Sequence, residues 1–378
     1  MSFPKALMTA RCLPLTACML LRAFASAHAA ASPEVLSDGR VIFRLDAPRA
    51  QDVEVTGDFP GSLAQDGRME RGPEGLWSLT AGPFPPDLYS YYFTVDGVPL
   101  PDPHNGRTKP GVVVQQSLLT VPGAPESLLE ANAVPHGEIR VLYYSSRVLG
   151  TARRMHVYLP PGYAEGSRKY PVLYLFHGGG DDDDAWISIG RANFILDNLI
   201  AAGQASEMIV VMPDLWTFDP GSGAPLADED VAMLRKSFFG ETVPFVEHHF
   251  RVLKGRNHIA VGGLGLGRAM LPDFLWPSLG RIGTAFFASG GASDAELALL
   301  QARYPGALDN PDNTLRVRFF LGAGVADNSI EASRALGAEL QRRGYRVTRF
   351  ESQGGHGWPA FRRSFIEFAR TAFPRGRP

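Results

Sequence analysis

A five-residue stretch, Gly263-Leu264-Gly265-Leu266-Gly267, has the spacing of the G-x-S-x-G motif. In that motif a serine nucleophile lies on a strained turn between a strand and a helix. The serine position is occupied here by Gly265. Because glycine has no side chain, no covalent acyl intermediate can form at this residue. The sequence therefore predicts a turn with the outline of a nucleophile elbow and a vacant nucleophile position.

A carboxylate and a histidine follow this turn in the chain. Asp327 comes after the apolar run RVRFFLGAG, and His356 comes after the run YRVTRFE. A carboxylate that orients an imidazole, and an imidazole that accepts a proton, are the other two members of a catalytic triad. The order of elbow, acid and histidine is that of α/β-hydrolases. Both residues are candidates for acid–base chemistry, with a structural role as the alternative for each.

Two other groups are candidates for the attacking nucleophile. Ser289, in FFASGGAS, follows the apolar run after the elbow, on a strand about 4.8 Å away if the two are sheet neighbours. A water held above Gly265 and activated by His356 is the second candidate.

A glycine-rich segment, His177–Gly180, follows the apolar run YPVLYLF. Such a loop turns backbone N–H groups toward an oxyanion, and a plain tight turn is the alternative. The next four residues, Asp181–Asp184, are consecutive carboxylates, whereas calcium ligands are spaced to wrap the ion. We expect a solvated acidic loop there and predict no metal site.

Two tryptophans are candidates for ligand binding. Trp186 follows the acidic run, and Trp358 follows His356. Indole rings stack on sugars or aromatic acids, and they pack equally well in a core.

The elements around these residues change in character along the chain. Between Val35 and Val121, short alternating runs such as GRVIFRLDAP and LYSYYFTVDG predict a small all-β sandwich. Beyond the Pro-, Ala- and Gly-rich stretch VPGAPESLLEANAVPHG, continuous apolar runs alternate with helical patterns. That alternation is typical of an α/β fold with a doubly wound, mostly parallel sheet. Ligands bind beyond the carboxyl ends of such strands, where the candidate residues fall.

Composition limits the partners. The 378 residues carry a formal net charge of −2, which gives no electrostatic reason to expect nucleic acid or an anionic membrane. Both cysteines, Cys12 and Cys18, lie in the first thirty residues, so the rest of the chain has no thiolate nucleophile or cysteine metal site. No later stretch reaches 18 consecutive apolar residues, so no membrane span is predicted. We predict no cofactor.

Residues 1–30 have the pattern of a secretory signal peptide. Lys5 and Arg11 precede the apolar stretch CLPLTACMLL, and ASAHAA contains an A-x-A cleavage site. A lipoprotein signal ending at Cys18 is the alternative. We expect a secreted or periplasmic protein. The predicted boundaries are 1–30 for the signal peptide, 33–122 for the sandwich, 123–135 for the linker and 136–378 for the second domain.

Residues 134–375 resemble the esterase family that contains feruloyl, acetylxylan and enterochelin-type esterases. The matching phrases are RRMHVYLPPGY, YPVLYLFHGGGDDDDAW, MIVVMPD, PFVEHHFRV, the degenerate VGGLGLGRAM and GGHGWPAFRR. Residues 40–105 resemble the early-set, glycogen-binding-like sandwich found ahead of such esterases, through VEVTGDF, GLWSLTAGP and YSYYFTVDGV.

The resemblance implies roles for individual residues. Asp327 corresponds to the triad acid and His356 to the general base, while Gly265 departs from the family's serine. The oxyanion donors correspond to the backbone N–H groups of Gly179 and Leu266. Arg268 is a second departure, because the family has a small residue there. Its guanidinium would crowd the turn and add positive charge to the substrate-binding site.

These observations lead us to expect a pseudo-esterase that binds a small-molecule ester or a plant cell-wall glycan ester with little or no hydrolysis. An active carboxylic-ester hydrolase that uses water or Ser289 with His356 and Asp327 is one alternative. A structural or interaction protein is the other.

Overall fold

The N-terminal domain is a sandwich of two antiparallel sheets. Its alternating runs become strands whose apolar residues face inward, as in the strand Val41–Asp46, where every second side chain is buried. One sheet has the strand order β1-β2-β5-β4, and the other has the order β3-β6-β9-β8, with β7 paired to β6. The strands are β1 (Glu34–Val35), β2 (Val41–Asp46), β3 (Val53–Gly57), β4 (Glu70–Arg71), β5 (Leu76–Ala81), β6 (Asp87–Val95), β7 (Val98–Leu100), β8 (Thr108–Lys109) and β9 (Gln116–Val121).

The second domain is built on an eight-stranded sheet in the order β10-β11-β13-β12-β14-β15-β16-β17. β10 and β11 pair antiparallel, as do β11 and β13, and the strands from β13 to β17 pair parallel. The strands are β10 (Glu138–Ser146), β11 (Thr151–Leu159), β12 (Val172–Gly178), β13 (Ile209–Pro213), β14 (Ile259–Gly265), β15 (Thr284–Phe287), β16 (Arg318–Gly324) and β17 (Arg346–Ser352). The sandwich and the mostly parallel sheet confirm the predicted fold class.

Helices cover both faces of this sheet and bury two apolar clusters against it. They are α1 (Ala185–Ser188), α2 (Ala192–Ala201), α3 (Asp228–Ser237), α4 (Val243–His249), α5 (Met270–Leu275), α6 (Asp294–Arg303), α7 (Pro311–Arg316), α8 (Ile330–Arg342) and α9 (Trp358–Thr371). A π-helical turn, Phe238–Thr242, joins α3 to α4. The closing helix α9 is strongly amphipathic, which explains why its apolar face packs on the sheet.

The computed structural model describes residues 31–61, 63–112, 114–123, 128–217, 227–265 and 270–373. The predicted signal peptide at residues 1–30 lies outside the described residues, and so do Leu266 and Arg268. No helix in the described ranges has the length and apolarity to cross a membrane.

The sandwich and the second domain belong to one compact unit that starts at Ser32. Leu88 and Leu118 of the sandwich are part of the apolar cluster beneath α9. Arg362 of α9 is buried and donates hydrogen bonds to Asp87 at 2.6 Å and to the backbone carbonyl of Leu88. The boundary between the domains is therefore a buried contact with both apolar and charged components.

Candidate active site

The vacant nucleophile position lies at the carboxyl end of β14. Gly265 is the last residue of that strand and pairs with Gly178 of β12. A Cβ on Gly262 would lie 1.8 Å from the carbonyl oxygen of Phe286, and Gly263 has a φ of 128°. Close approach of neighbouring strands and a left-handed backbone thus account for two of the glycines in VGGLGLG. The remaining glycine of the strand, Gly265, stands where a serine would carry the chemistry.

The acid and the base meet at the ends of β16 and β17. Nδ1 of His356 lies 3.1 Å from Oδ1 and 3.2 Å from Oδ2 of Asp327. Ser289, which follows β15, donates its hydroxyl hydrogen to Oδ2 of Asp327 at 2.8 Å and lies 3.1 Å from Nδ1 of His356. Since the Ser289 proton goes to Asp327, the assignment that satisfies all three groups puts a hydrogen on Nδ1 and leaves Nε2 as the basic nitrogen.

The imidazole is held on one side and open on the other. No group among the described residues bonds to Nε2 of His356, and 53% of the side chain is exposed. Asp327 is buried and also accepts a hydrogen bond from the amide of Ser329 at 2.8 Å. Burial raises the pKa of Asp327, but the hydrogen bonds from His356, the Ser329 amide and Ser289 outweigh it, so that this pKa lies below its ordinary value. Asp327 therefore stays ionised and orients a histidine whose free nitrogen can accept a proton.

The glycine turn, which we define as Gly178–Asp181, lines the same cavity as His356. Gly180 has a φ of 84°, and the amide of Asp181 closes the turn on the carbonyl of Gly178 at 3.3 Å. In the described part of the chain, no group accepts a hydrogen bond from the Gly179 amide. The preceding His177 is structural, because its Nε2 accepts from the Leu215 amide at 2.9 Å. The Gly179 amide is therefore a candidate donor to a ligand oxygen in this part of the site.

The acidic run after this turn is not a solvated loop, and that expectation is wrong. Asp183 is only 1% exposed and is paired with Arg154 and with Nδ1 of His156, which lies 2.8 Å away. Arg154 also contacts Asp182 at 3.1 Å, and His156 lies 3.7 Å from Asp184. Strand β11, which carries Arg154 and His156, thus supplies the partners of the acidic run.

A cavity of about 560 Å³ joins the glycine turn to the histidine. The second domain contributes Gly178–Asp181, Leu264, Ser289, Gly290, Asn328, Ser329 and the segment from His356 to Trp358, with Phe361. The sandwich contributes Asp58, Ser90, Lys109 and Gln116. The volume lies in the range of sites for small organic ligands. The sequence analysis missed the four sandwich residues, because no motif connects them to the second domain.

Asp58 is bonded to both domains. Its carboxylate accepts from the amide of Ser90 at 2.7 Å and from the amide of Trp358 at 3.3 Å. Burial raises the pKa of Asp58 to about 6, against the opposing effects of Arg362 and of these two amides. Asp58, in the cavity wall, and Asp327, which holds His356 of the same wall, thus have pKa shifts in opposite directions.

The two tryptophans have different positions. Trp186 is 1% exposed, donates from Nε1 to the carbonyl of Phe176 at 2.8 Å and is absent from the described cavity wall. Its surroundings are those of core packing, the alternative given above. Trp358 lines the cavity and packs edge-on against Trp186 at 5.1 Å. Of the two indoles, Trp358 is therefore the one that a ligand in this cavity can contact.

Two family models match the chain. Residues 146–263 match the model of the Esterase family, and residues 28–109 match carbohydrate-binding module 48 (isoamylase N-terminal domain). The first match ends at Gly263, just before the vacant nucleophile position. The order of the two matches agrees with the sandwich and the α/β domain in the structure.

Named relatives include proteins with esterase activity in their names. The chain is 32% identical over 249 residues to an endo-1,4-β-xylanase/feruloyl esterase of Xylanibacter ruminicola, which covers 62% of this chain and 33% of that protein. It is 27% identical over 320 residues to an esterase of Mycobacterium tuberculosis, which covers 72% of this chain and 65% of that protein. The chain therefore spans about a third and just under two thirds of the lengths of these relatives.

Solved structures show the same fold. The enterobactin esterase of Shigella flexneri superimposes with a TM-score of 0.67 at 18% identity and covers 88% of this chain and 94% of that one. A ferulic acid esterase of Anaeromyces mucronatus superimposes with a TM-score of 0.52 at 24% identity and covers 66% of this chain and 95% of that one. At such identities the likeness concerns the fold alone.

Proposed function

We propose that this chain, which belongs to the esterase family and carries a β-sandwich ahead of its α/β-hydrolase domain, is a pseudo-esterase that binds an ester without forming an acyl-enzyme. The observation that carries the proposal is Gly265 at the carboxyl end of β14. A covalent mechanism needs a side-chain nucleophile at this point, and glycine has none. In a comparable triad, loss of the serine costs about 10⁶ in kcat.

The position of Ser289 argues against its use as a substitute nucleophile. In a working triad the histidine nitrogen opposite the acid takes the proton of the attacking hydroxyl. Ser289 lies instead on the Nδ1 side of His356 and donates to Asp327. Its hydroxyl hydrogen is thus committed to the acid. We therefore assign Ser289 to support of the acid–base pair.

The polar groups that remain support binding of an ester. The Gly179 amide can donate to an ester carbonyl oxygen, and Nε2 of His356 can meet a polar group beside it. Leu264, Trp358 and Phe361 supply apolar wall. An ester of an aromatic acid, free or attached to a plant cell-wall glycan, has both a polar ester group and an apolar ring to match these surfaces. A relative named as a feruloyl esterase favours that class.

A second candidate function is slow hydrolysis by water. The open Nε2 of His356 and its bond to Asp327 favour this alternative, because together they form a general base. Water attack would give turnover without a covalent intermediate.

The experiment uses the purified chain with methyl ferulate and p-nitrophenyl acetate. We expect saturable binding of methyl ferulate by calorimetry, no burst of nitrophenol and no labelling by a fluorophosphonate. Steady turnover that His356→Ala abolishes, without a burst, would establish the water mechanism instead. Stoichiometric labelling would overturn the proposal and require a side-chain nucleophile.

The same proposal includes export. The pattern of residues 1–30 directs the chain to the periplasm or the medium, where plant-derived esters are found. Mass spectrometry of the mature N-terminus after expression in a bacterial host tests this. Retention of residues 1–30 on a cytosolic product would contradict it.

A further inference from the structure

The sandwich contacts the glycine turn through a buried charge. Lys109, at the end of the short strand β8, is 3% exposed, and its ammonium group donates to Oδ1 of Asp181. Both side chains line the cavity. Pairing of Lys109 with Gln116 of β9 fixes where the lysine leaves the sandwich. The pairing of β8 with β9 therefore positions the Lys109 ammonium group beside the glycine turn, which contains the Gly179 amide.

A backbone contact accompanies the ion pair. The amide of Val112 donates to the carbonyl of Gly180 at 3.2 Å. Gly111 permits this approach, because a Cβ there would lie 2.2 Å from the carbonyl oxygen of Val114 and 3.4 Å from that of Gly180. The sandwich thus holds two consecutive residues of the turn, Gly180 by its carbonyl and Asp181 by its carboxylate.

The opposite side of the turn is also fixed. Nε1 of Trp216 donates to the carbonyl of Asp181 at 2.7 Å, and Arg154 and His156 hold the following carboxylates. Among these side-chain contacts to the acidic run, Lys109 is the one that comes from the sandwich. A buried ammonium is tolerated where an opposite charge satisfies it, so this pair favours a single position of Asp181.

We propose that Lys109 is a positioning residue, supplied by the sandwich, that holds the glycine turn in the conformation the ester site requires. This rests on the proposed function for its ligand. Lys109 acts through Asp181 on the backbone of Gly179 and Gly180, and it does not itself contact the reacting atoms. The sandwich is then an integral wall of the ester site, with a role distinct from that of an independent carbohydrate-binding module.

The first test is native-state hydrogen exchange of the full chain without ligand, followed over residues 178–182 by mass spectrometry. Lys109→Met should accelerate exchange of the Asp181 amide, which donates to the Gly178 carbonyl, by about tenfold or more, because the turn opens locally. Lys109→Arg should keep exchange near the native rate. Lys254→Met removes an exposed lysine and serves as the matched control. Unchanged exchange in a folded Lys109→Met protein overturns the positioning role.

A second variant tests the proposal in case Lys109→Met alone prevents folding by leaving Asp181 without its partner. Lys109→Met with Asp181→Asn removes both charges, so that no unpaired buried charge remains. It should still show faster exchange than the native chain over residues 178–182. Native exchange rates in this double variant would overturn the proposal, because the ion pair would then be dispensable for the turn.

The second test connects the turn to the ligand. Lys109→Met should weaken methyl ferulate binding by about tenfold, and Lys109→Arg should recover most of that loss, since displacement of about 1 Å is costly in such sites. Native affinity in a variant whose turn exchanges faster would overturn the link to the ester site. Absence of methyl ferulate binding by the native chain would count against the proposed function, whereas the exchange experiment would still decide the role of Lys109.

Discussion

The loops after β15, β16 and β17 lie at the same edge of one sheet as the carboxyl end of β14. The loops carry an acid and a base, whereas the strand end has no nucleophile. Ser289, Asp327 and His356 form a closed set of hydrogen bonds between 2.8 and 3.2 Å. At the end of β14, Gly265 keeps the strand register with Gly178 but offers no functional group. The acid–base side is thus held by its own partners and does not need a nucleophile to stay ordered.

This difference has a physical origin. Removal of a serine side chain from a strand end costs little packing, since the backbone ladder of β14 is unchanged. Removal of Asp327 or His356 would instead leave buried polar groups without partners. The nucleophile is therefore the member of a triad that a fold can lose most easily. The four predictions that follow test the comparison, from the largest expected effect to the smallest.

The largest effect should come from restoring the missing group. Gly265→Ser should give fluorophosphonate labelling and weak hydrolysis of p-nitrophenyl acetate, about 10² to 10³-fold above the native chain, because a serine beside an ordered base is activated. Adding Arg268→Gly should raise kcat/KM further, since a small residue follows the elbow glycine in the family. Gly265→Ala is the matched control, because it adds the Cβ without the hydroxyl.

Two results would change the interpretation of that experiment. Full activity from Gly265→Ser alone would mean that Arg268 is harmless. An inert, correctly folded double variant would mean that the acid–base side is ordered without being functional. The comparison between the two sides of the site would then describe structure only.

The second prediction concerns the buried acid. Asp327→Asn should lower the free energy of unfolding by about 2 to 3 kcal/mol at pH 7, because hydrogen bonds to a charged group are lost. The folded pKa of Asp327 lies below its unfolded value of about 3.9, so its stabilising effect is present above that pH and is lost as the pH falls through the folded pKa. Urea unfolding at pH 7 and pH 3 should therefore show the variant and native curves converging in acid.

The exposed Asp46 provides a control for the charge change alone, as Asp46→Asn. A constant difference between Asp327→Asn and the native chain at both pH values would contradict the assigned environment of Asp327.

The third prediction separates support from nucleophilic attack. Ser289→Ala should lower the free energy of unfolding by about 1.5 kcal/mol, since Asp327 loses one hydrogen-bond donor. In the Gly265→Ser background it should leave fluorophosphonate labelling within about tenfold. The exposed Ser145 gives a matched control, Ser145→Ala. Labelling of the native chain that Ser289→Ala removes would make Ser289 the nucleophile.

Much of the fold was predictable from the sequence, since apolar runs end at the turns that the structure shows. The run VIFRLD forms β2, in which every second side chain is buried, as its alternating pattern predicts. The run TAFF forms β15, which is buried on both faces, as a continuous apolar run predicts. The hairpin of β10 and β11 was missed. β10 lies at the sheet edge, where Val141 and Tyr143 are exposed. Its sequence therefore shows neither the alternating pattern of a half-buried strand nor the continuous apolar run of a fully buried one.

The site was predictable only where the chemistry follows the order of the chain. Asp327 and His356 follow adjacent strands, and a sheet brings such residues together. Lys109 and Asp58 could not be found, because they come from a different domain and single charged residues carry no spacing signal. The burial of Asp183 was missed for a related reason, as its partners Arg154 and His156 lie on the unrecognised strand β11.

The smallest expected effect concerns Asp58, the carboxylate on the sandwich side of the same cavity. Its folded pKa of about 6 exceeds the unfolded value of about 3.9, so the folded state binds more protons between these values. Stability from this group therefore falls as the pH rises from about 4 to 6, the opposite sign from Asp327.

Asp58→Asn removes the buried charge but weakens one of the hydrogen bonds from the Ser90 and Trp358 amides. We expect the difference in unfolding free energy between variant and native chain to shift by about 1 kcal/mol in favour of the variant between pH 4 and pH 7. Urea unfolding at half-unit pH steps measures this. A flat difference, or one that favours the native chain as the pH rises, would show that Asp58 is solvated and that its environment does not differ from that of Asp327 in the way described.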